Sequence, residues 1–173
     1  MTLSYRYATA ADIDLVTEMF IEIDVHYYDT AARWRAPAAR AAMTAHVRDK
    51  VLADGADCHV VLAELDGRAV GLATYAVVYP VPGPSGTLMM KDLYLRPDAR
   101  GGGHGEAFMR HMAGVAVDKG CSRFDWTAET SNPKALQFYD AIGAPRVYEK
   151  VYFRFDAEGL RAFAAGQGTT DHD

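Results

Sequence analysis

A chain of 173 residues is long enough for one domain with a sizeable core and short for two. Half of its residues are hydrophobic and 24% are charged, which is typical of a soluble globular protein. The net charge of -5 argues against a surface that binds nucleic acid, because phosphate contacts require clustered Lys and Arg.

We expect neither export nor a membrane anchor. The first residues, MTLSYRYATAAD, lack the apolar stretch of a signal peptide, and no apolar run reaches the length of a membrane span. The sequence therefore predicts a cytoplasmic protein. Cys58 and Cys121 lie far apart in apolar or strand-like surroundings, so we expect reduced thiols rather than a disulfide or a metal site.

The first predicted elements are a strand and an amphipathic helix. Leu3 to Tyr7 alternates weakly, as a strand does. Thr9 and Asp12 form a capping-box-like pair, and the helix after them has apolar residues at helical spacing. These residues are Ile13, Val16, Phe20 and Ile23. An alanine-rich helix is predicted from Pro37 to Leu52, because proline is favoured in the first turn.

Acids, a histidine and two tyrosines crowd into residues 22–29, between these two helices. One interpretation is a solvated helix end with aromatic anchors. The other is one wall of a pocket for a cation. In the second interpretation, the candidate substrate-binding residues are Asp24, Tyr27 and Tyr28.

A β-hairpin is predicted in the middle of the chain. Asp66-Gly67 is a strong two-residue turn signal between two β-rich runs, Cys58 to Leu65 and Arg68 to Tyr79. Gly71 indicates a bulge in the second run. The proline-rich stretch from Pro80 to Gly86 is predicted to be an irregular surface loop.

The most informative stretch runs from Leu88 to Gly105. It begins with a predicted buried strand, which Pro97 interrupts because proline supplies no amide hydrogen to a ladder. Glycines within Gly101 to Gly105 then lead into a helix near Glu106, and they allow the backbone to approach a ligand closely. Free amides and the dipole at a helix N-terminus favour a phosphate. The stretch therefore predicts an anion site.

Three patterns for phosphate loops compete for this turn. The dinucleotide pattern G-x-G-x-x-G is matched loosely, because Glu106 stands in place of the third glycine. The nucleotide-triphosphate loop needs Gly-Lys-Ser/Thr at its end, which this turn lacks. The third pattern, Arg/Gln-x-x-Gly-x-Gly/Ala after a strand, is met by Arg100, Gly103 and Gly105.

The remaining elements complete a mixed α/β pattern. The helix after the turn is predicted to end near Lys119, and the later elements are a strand from Ser122 to Ala128, a helix from Ser131 to Ala141, a strand from Val147 to Phe155 and helical turns from Asp156 to Ala164. The order predicts a mixed sheet of six to seven strands with helices on both faces. We expect a single domain over residues 1–165 and a disordered tail over residues 166–173.

Residues 132–139, NPKALQFY, are followed by Ile142-Gly143-Ala144. Three parts of the chain resemble motifs of the GNAT superfamily of N-acetyltransferases and occur in the same order as in that family. They are Asp92 to Leu95, the Arg100 turn and this segment. Within this superfamily, the sequence of these motifs is most similar to the diamine (spermidine/spermine) N-acetyltransferase branch and its relatives that act on lysine analogues. The resemblance implies the GNAT fold and transfer of an acetyl group from acetyl-CoA to an amine, without a metal.

The resemblance also implies where acetyl-CoA lies. Backbone groups near Leu93 and Leu95 would pair with the pantetheine arm, and the glycine turn would hold the pyrophosphate. The cofactor-binding residues implied are Leu93, Tyr94, Leu95, Arg100, Gly101, Gly102, Gly103, His104, Gly105, Glu106, Asn132, Lys134 and Tyr139.

Tyr139 matches the family's tyrosine that protonates the leaving thiolate, so the resemblance implies that it is the general acid. The base stays open between a water chain, Asp92, Glu129 and acids of the first helix region. These acids are Glu22, Asp24 and Asp29. Lys91 stands where the diamine branch typically has an acid, and a lysine there would repel a cationic amine.

The acceptor is expected to be the primary amine of a small molecule, such as a diamine, a polyamine or an amino-acid-like compound. Asp125 and Trp126 are expected to line its pocket with Lys91, and Trp34 to close over it. The alternatives are a protein or peptide N-acetyltransferase and a non-catalytic acyl-CoA-binding module. Relatives in this branch commonly pair through C-terminal strands, so the resemblance implies a homodimer through Val151 to Phe155. We expect no nucleic-acid or membrane partner.

Overall fold

The computed structural model of the protein describes residues 2–28 and 30–167. The chain forms two units, residues 1–131 and residues 132–173. A single domain over residues 1–165 stays a prediction. Most of the tail for which we predicted disorder, residues 168–173, lies outside the described residues.

The first unit contains a five-stranded mixed sheet. Its strands are β1 (Leu3–Tyr7), β2 (His59–Leu65), β3 (Arg68–Val81), β4 (Ser85–Leu95) and β5 (Arg123–Trp126). They lie in the sheet in chain order; the first four are antiparallel to their neighbours and β5 is parallel to β4. The mixed α/β class is confirmed, but the predicted six to seven strands are wrong for the described residues, which form five.

The strand predicted from Val147 to Phe155 is wrong, because these residues form no strand in the structure. A β-rich composition favours a strand only where a neighbouring strand accepts and donates the backbone hydrogen bonds. No strand of the described chain pairs with this segment. Its apolar side chains are exposed instead, and Phe153 is 87% accessible to solvent.

The irregular loop predicted from Pro80 to Gly86 is also partly wrong. β3 continues to Val81, and β4 begins at Ser85, which pairs with Val81. The irregular connection is therefore only residues 82–84. Pro80 lies where the pairing between β3 and β4 shifts its register, and a proline is tolerated at such an irregularity because no ladder donor is needed there.

Two helices cover one face of the sheet. The predicted capping box precedes α1 (Ile13–Tyr28), with the Thr9 side chain and the Asp12 carboxylate each bonded to the other's backbone. α2 (Pro37–His46) continues as a π-helical turn to Val51. Apolar side chains of these helices pack against β2 and β3 in a buried cluster of Val16, Met19, Val47, Val51, Val60, Leu62 and Leu72.

A third helix, α3 (His104–Asp118), covers the opposite face. Tyr5 of β1 stacks on Phe108 and His111 of α3, with ring centroids 5.1 and 4.2 Å apart. Tyr5 pairs with Ala63 and therefore lies on the same face of the sheet as Ala63. Leu62, next to Ala63 in β2, packs against α1, and adjacent residues of a strand point to opposite faces. Tyr5 and α3 are thus on the face opposite to α1. Helices on both faces of the sheet are therefore confirmed.

The second unit contains two short helices. α4 (Pro133–Ala141) begins after Asn132, whose side chain accepts a hydrogen bond from the Ala135 amide at 3.1 Å. α5 (Ala157–Ala164) is capped in the same way by Asp156. Within the described residues of the whole chain, no helix is both long and apolar enough to cross a membrane. The cellular compartment stays a prediction.

Candidate active site

β4 extends beyond its parallel neighbour β5. The last parallel pair joins Met90 to Trp126, whereas β4 continues to Leu95. Residues 91–95 therefore have β3 on one edge and no strand of the described chain on the other. Main-chain donors and acceptors on such an edge are available to a ligand that lies along it.

The direction of the β4 amides identifies the groups on this edge. The Asp92 amide donates to Thr74 Oγ1 at 3.1 Å and the Arg96 amide to the Val70 carbonyl at 2.8 Å, so both point to β3. Successive N–H groups of a strand point to opposite edges. The amides of Leu93 and Leu95 therefore lie on the edge that β5 leaves without a partner.

A glycine turn follows the end of β4 and begins α3. Gly101 and Gly103 have φ values of 87° and 78°, a left-handed conformation that glycine adopts at little cost. Ala107 has the first amide that bonds into the helix, to the Gly103 carbonyl at 3.0 Å. The amides just before it lie outside the helical ladder. A Cβ at Gly101 or Gly103 would meet no atom within 4 Å, so open space borders the turn and suits a phosphate group.

Two side chains hold this turn against the strand. Arg100 Nε donates to the Leu95 carbonyl at 2.8 Å, and its guanidinium lies 5.6 Å from the centre of the Tyr94 ring. His104 Nδ1 lies 2.9 Å from the Ala99 carbonyl, to which it donates in the tautomer that carries its proton on Nδ1. Arg100 and His104 thus fix the turn next to the free edge of β4.

Lys91 is the extra residue of a β-bulge in β4. Thr74 pairs with Asp92 and Tyr75 pairs with Met90, which leaves Lys91 without a partner on β3. Thr74 Oγ1 donates to Asp92 Oδ2 at 2.7 Å, and Lys91 Nζ lies 3.8 Å from Asp92 Oδ1. Neighbouring side chains of a regular strand point to opposite faces, so the bulge is what allows these two charges to meet. Lys91 and Asp92 directly follow Met90, the last residue of β4 that pairs with β5.

Tyr27, at the end of α1, lies within electrostatic reach of the same strand and turn. Burial raises the pKa of Tyr27, Arg100 lowers it and Asp92 raises it. The Tyr27 side chain is 46% exposed. Its neighbour Tyr28 is 68% exposed. Asp29, a candidate base, lies outside the described residues.

Asp24 holds the segment that follows α1. Its Oδ2 accepts hydrogen bonds from Thr30 Oγ1 at 2.5 Å and from Trp34 Nε1 at 2.6 Å. Trp34 is only 5% exposed, although we expected it to close over an acceptor. Both residues brace this segment, and acceptor binding by Asp24 stays a prediction.

Glu22 and Arg96 join α1 to the end of β4. Arg96 Nη2 lies 2.8 Å from Glu22 Oε1, and its Nε is 3.0 Å from Glu22 Oε2. Hydrogen bonding to Glu22 raises the pKa of Arg96, and burial followed by the charge of Glu22 raises that of Tyr94. This pairing leaves Glu22 a poor candidate for the base, because its carboxylate already serves Arg96.

The other predicted residues of the first unit lie around this edge with different degrees of exposure. Asp125 and Trp126 are half-buried on β5, opposite Met89 and Met90, whereas Glu129 is exposed after the strand. Glu106 forms an ion pair with Arg110 one turn along α3, at 2.6 Å. Among the described residues, no cluster of His, Cys, Asp and Glu could hold a metal ion.

Comparison with known proteins identifies the family. The family model described as Acetyltransferase (GNAT) family matches residues 18–144, which include the free edge of β4 and the glycine turn. The chain belongs to the GNAT acetyltransferase family. The family that the motifs predicted is thereby confirmed, and the mixed sheet is that of the GNAT fold.

Individual GNAT relatives are more distant. The thialysine N-epsilon-acetyltransferases of Sus scrofa and Mus musculus are 34% and 33% identical over 98 residues, 55% of this chain and 57% of each relative. The chain thus spans about half the length of the curated relatives it matches. An integron cassette protein from the mobile metagenome of V. cholerae is 34% identical, with a TM-score of 0.83 and coverage of 95% of this chain and 98% of that one.

A more distant solved structure shares the fold. An aminoglycoside N-acetyltransferase in complex with CoA has a TM-score of 0.66 at 15% identity, with coverage of 89% of this chain and 95% of that one. This likeness concerns the arrangement of strands and helices.

The second GNAT motif lies in the second unit. Asn132 caps α4, and contact with the cofactor stays a prediction for it. Lys134 is exposed in the first turn of α4. Tyr139 is half-buried on the same helix, with its ring 5.2 Å from that of Phe138. Its role as the general acid stays a prediction.

Thr74 and Arg96 are the residues of this GNAT site that sequence reasoning missed. Thr74 lies in an apolar run, and its bond to Asp92 depends on the register of β3 against β4, which no local pattern gives. Arg96 stands beside Pro97 in a sequence that indicates only a strand end. A charged residue at the end of a buried strand was a usable signal, because burying a charge requires a partner such as Glu22.

Proposed function

We propose that this GNAT protein is an N-acetyltransferase that moves the acetyl group of acetyl-CoA to the primary amine of a small molecule. The observation that carries the proposal is the edge of β4 at Leu93 and Leu95, which has no strand partner and leads directly into the glycine turn. The thialysine N-epsilon-acetyltransferases support a small amine acceptor, although the match covers about half of their length.

The residues present fit acetyl-CoA as cosubstrate. The amides that precede Ala107 would hold the diphosphate at the N-terminus of α3, where the helix dipole favours negative charge. The amides of Leu93 and Leu95 would hold the pantetheine arm as a neighbouring strand would. When bound, acetyl-CoA supplies an activated thioester carbonyl. An amide on this edge would stabilise the charge that develops on the carbonyl oxygen, an effect of about 3 kcal/mol per donor.

The transfer forms a C–N bond and breaks a C–S bond, so one proton must leave the amine and one must reach the thiolate. For the second proton we assign Tyr139, on the basis of its match to the GNAT motif. For the first, Asp92 is the best placed of the candidate acids, because Thr74 fixes its carboxylate where the β5 pairing ends. Glu129, exposed after β5, is the alternative.

The acceptor would lie at the end of the β5 pairing. Tyr27 and Tyr28 from α1, Lys91 from the bulge, and Asp125 and Trp126 from β5 would line its site. We further propose that residues 1–165 form one N-acetyltransferase domain.

The test is a screen of amines with detection of the free CoA thiol. We expect acetyl-CoA to bind and thiol release to depend on a small primary amine, such as lysine or thialysine. Binding of acetyl-CoA without turnover of any amine would favour an acyl-CoA-binding module. Release only with a peptide would favour a protein N-acetyltransferase. Either result would overturn the proposed acceptor.

A further inference from the structure

Lys91 and Asp92 place opposite charges side by side on the free part of β4. The ammonium and the carboxylate are 3.8 Å apart, and the Lys91 side chain is 78% exposed. Thr74 fixes the Asp92 carboxylate from the other side at 2.7 Å. A flexible, exposed ammonium beside a fixed carboxylate can turn toward a second anion without leaving a buried charge unpaired.

On the proposed function, the diphosphate lies at the glycine turn and the pantetheine arm along Leu95 and Leu93. The thioester then lies farther along β4, toward the end of the β5 pairing. That point is occupied by Lys91 and Asp92. An acceptor that attacks the thioester therefore meets both charges.

Three carboxylates of α1 already have partners. Glu22 is bonded to Arg96, and Asp24 accepts from Thr30 and Trp34. Farther along α1, Glu18 is paired with Arg40. Among the described residues of α1, these carboxylates provide no free negative surface for a second ammonium group. A di- or polyamine would bring an extra positive charge toward Lys91, whose ammonium repels it.

We infer that Lys91 is a specificity-determining residue that selects acceptors carrying a carboxylate as well as the reacting amine, and disfavours diamines and polyamines. In this arrangement Asp92 faces the amino group of the acceptor, and Lys91 faces its carboxylate. The chemical class is an amino-acid-like zwitterion. The bulge is essential to the assignment, because in a regular strand the Lys91 side chain would point to the opposite face from Asp92.

The test compares acceptors that differ only in the carboxylate. Lysine and lysinamide have the same amines, but lysinamide carries an uncharged amide in place of the carboxylate, and cadaverine has a hydrogen there. The ratio of kcat/KM for lysine to that for lysinamide is measured for the wild type, Lys91→Gln and Lys91→Glu. Lys50→Glu, an exposed lysine on the π-helical turn after α2, is the control for the change in net charge.

We expect the wild type and Lys50→Glu to prefer lysine by roughly two- to five-fold, the size of effect that one exposed charge contact gives. Lys91→Gln should bring the ratio close to one, and Lys91→Glu should invert it and raise the rate with cadaverine. A ratio that is the same in all four proteins would overturn the role of Lys91 while leaving the proposed function intact. Acetyl-CoA binding without turnover of any amine by the wild type would overturn both.

Discussion

Thr74 and Asp92 are joined by two hydrogen bonds across β3 and β4. The Thr74 hydroxyl donates to the Asp92 carboxylate at 2.7 Å and accepts from the Asp92 amide at 3.1 Å. Thr74 is 5% exposed, so neither bond is replaced by water without rearrangement. The pair fixes the carboxylate beside the bulge, and the Thr74 hydroxyl gives the Asp92 amide a hydrogen-bond partner there.

The first prediction uses this pair and a matched threonine. Thr74→Val keeps the shape of the side chain but removes both hydrogen bonds, so we expect a loss of about 1–3 kcal/mol in the free energy of unfolding and a lower kcat. Thr74→Ser should retain most of both. Thr87 on β4 is the control, because its buried hydroxyl has no hydrogen-bond partner among the described residues. Thr87→Val should be neutral or stabilising in urea unfolding. Equal losses in the two valine variants would contradict the prediction.

The second prediction concerns the glycine turn. Gly103→Val adds a β-branched side chain to a left-handed residue next to the amides of the turn. We expect acetyl-CoA affinity to fall at least ten-fold, because the side chain occupies the space that a diphosphate would need. Gly120→Val is the control, since Gly120 has φ 69° and similar open space at the opposite end of α3. Both variants carry a strain of about 1–2 kcal/mol. Isothermal titration that finds equal affinity in the two variants would remove the turn from the site.

The third prediction concerns stability at low pH. Hydrogen bonds from Arg6 lower the pKa of Asp12 from 3.8 to about 2, against the opposing effect of burial, and Thr9 lowers it further. A carboxylate with a depressed pKa stabilises the fold above its unfolded pKa, and this contribution is lost as the pH falls from 3.8 toward 2.

Asp12→Asn should therefore cost about 2 kcal/mol at pH 7 and much less near pH 2, where the wild type has lost the same contribution. The control is Asp49→Asn, because Asp49 forms an exposed ion pair with its neighbour Arg48 and should change stability little. Chemical unfolding at several pH values measures the difference. A destabilisation by Asp12→Asn that is independent of pH would show that packing, not charge, accounts for it.

Local signals in the sequence predicted most of the elements of the first unit. The capping box of Thr9 and Asp12 and the Asp66-Gly67 turn depend only on neighbours in the chain, and both are present in the structure. The glycine turn before α3 also depends only on neighbours in the chain. Such features could be predicted because their energetics are decided within a few residues.

Features that depend on distant residues could not be predicted in this way. Residues 147–155 have a strand-like composition, but a strand needs a partner, and composition does not supply one. The bulge at Lys91 and the bond from Thr74 to Asp92 follow from the register of two strands, which is set by the whole sheet. The position of Tyr27 likewise depends on how α1 packs on that sheet.

The fourth prediction is a homodimer. Tyr152 and Phe153 are 70% and 87% exposed, and Val151 is 74% exposed, a cluster of large apolar side chains that favours association. We expect the mass in solution at micromolar concentration to be twice the 18.9 kDa of one chain. Val151→Lys and Phe153→Lys together should give a monomer that remains folded. A monomeric wild type at that concentration would refute the prediction.

The last prediction concerns Tyr139. If its hydroxyl protonates the departing thiolate, Tyr139→Phe should lower kcat by roughly a hundred- to ten-thousand-fold, the range of a positioned proton donor. Acetyl-CoA affinity should change little, because the ring and its contact with Phe138 remain. Tyr152→Phe, on an exposed tyrosine of the same unit, is the control and should keep wild-type turnover.

The dependence of kcat on pH separates this role from that of the base. Activity should rise with pH as the amine loses its proton, and Tyr139→Phe should keep this ascending limb, because Tyr139 acts on the leaving sulfur and not on the amine. Wild-type turnover in Tyr139→Phe would show that water protonates the thiolate. A loss of acetyl-CoA affinity as large as the loss of kcat would mean that the hydroxyl serves binding or packing, since a proton donor acts after the cosubstrate is bound.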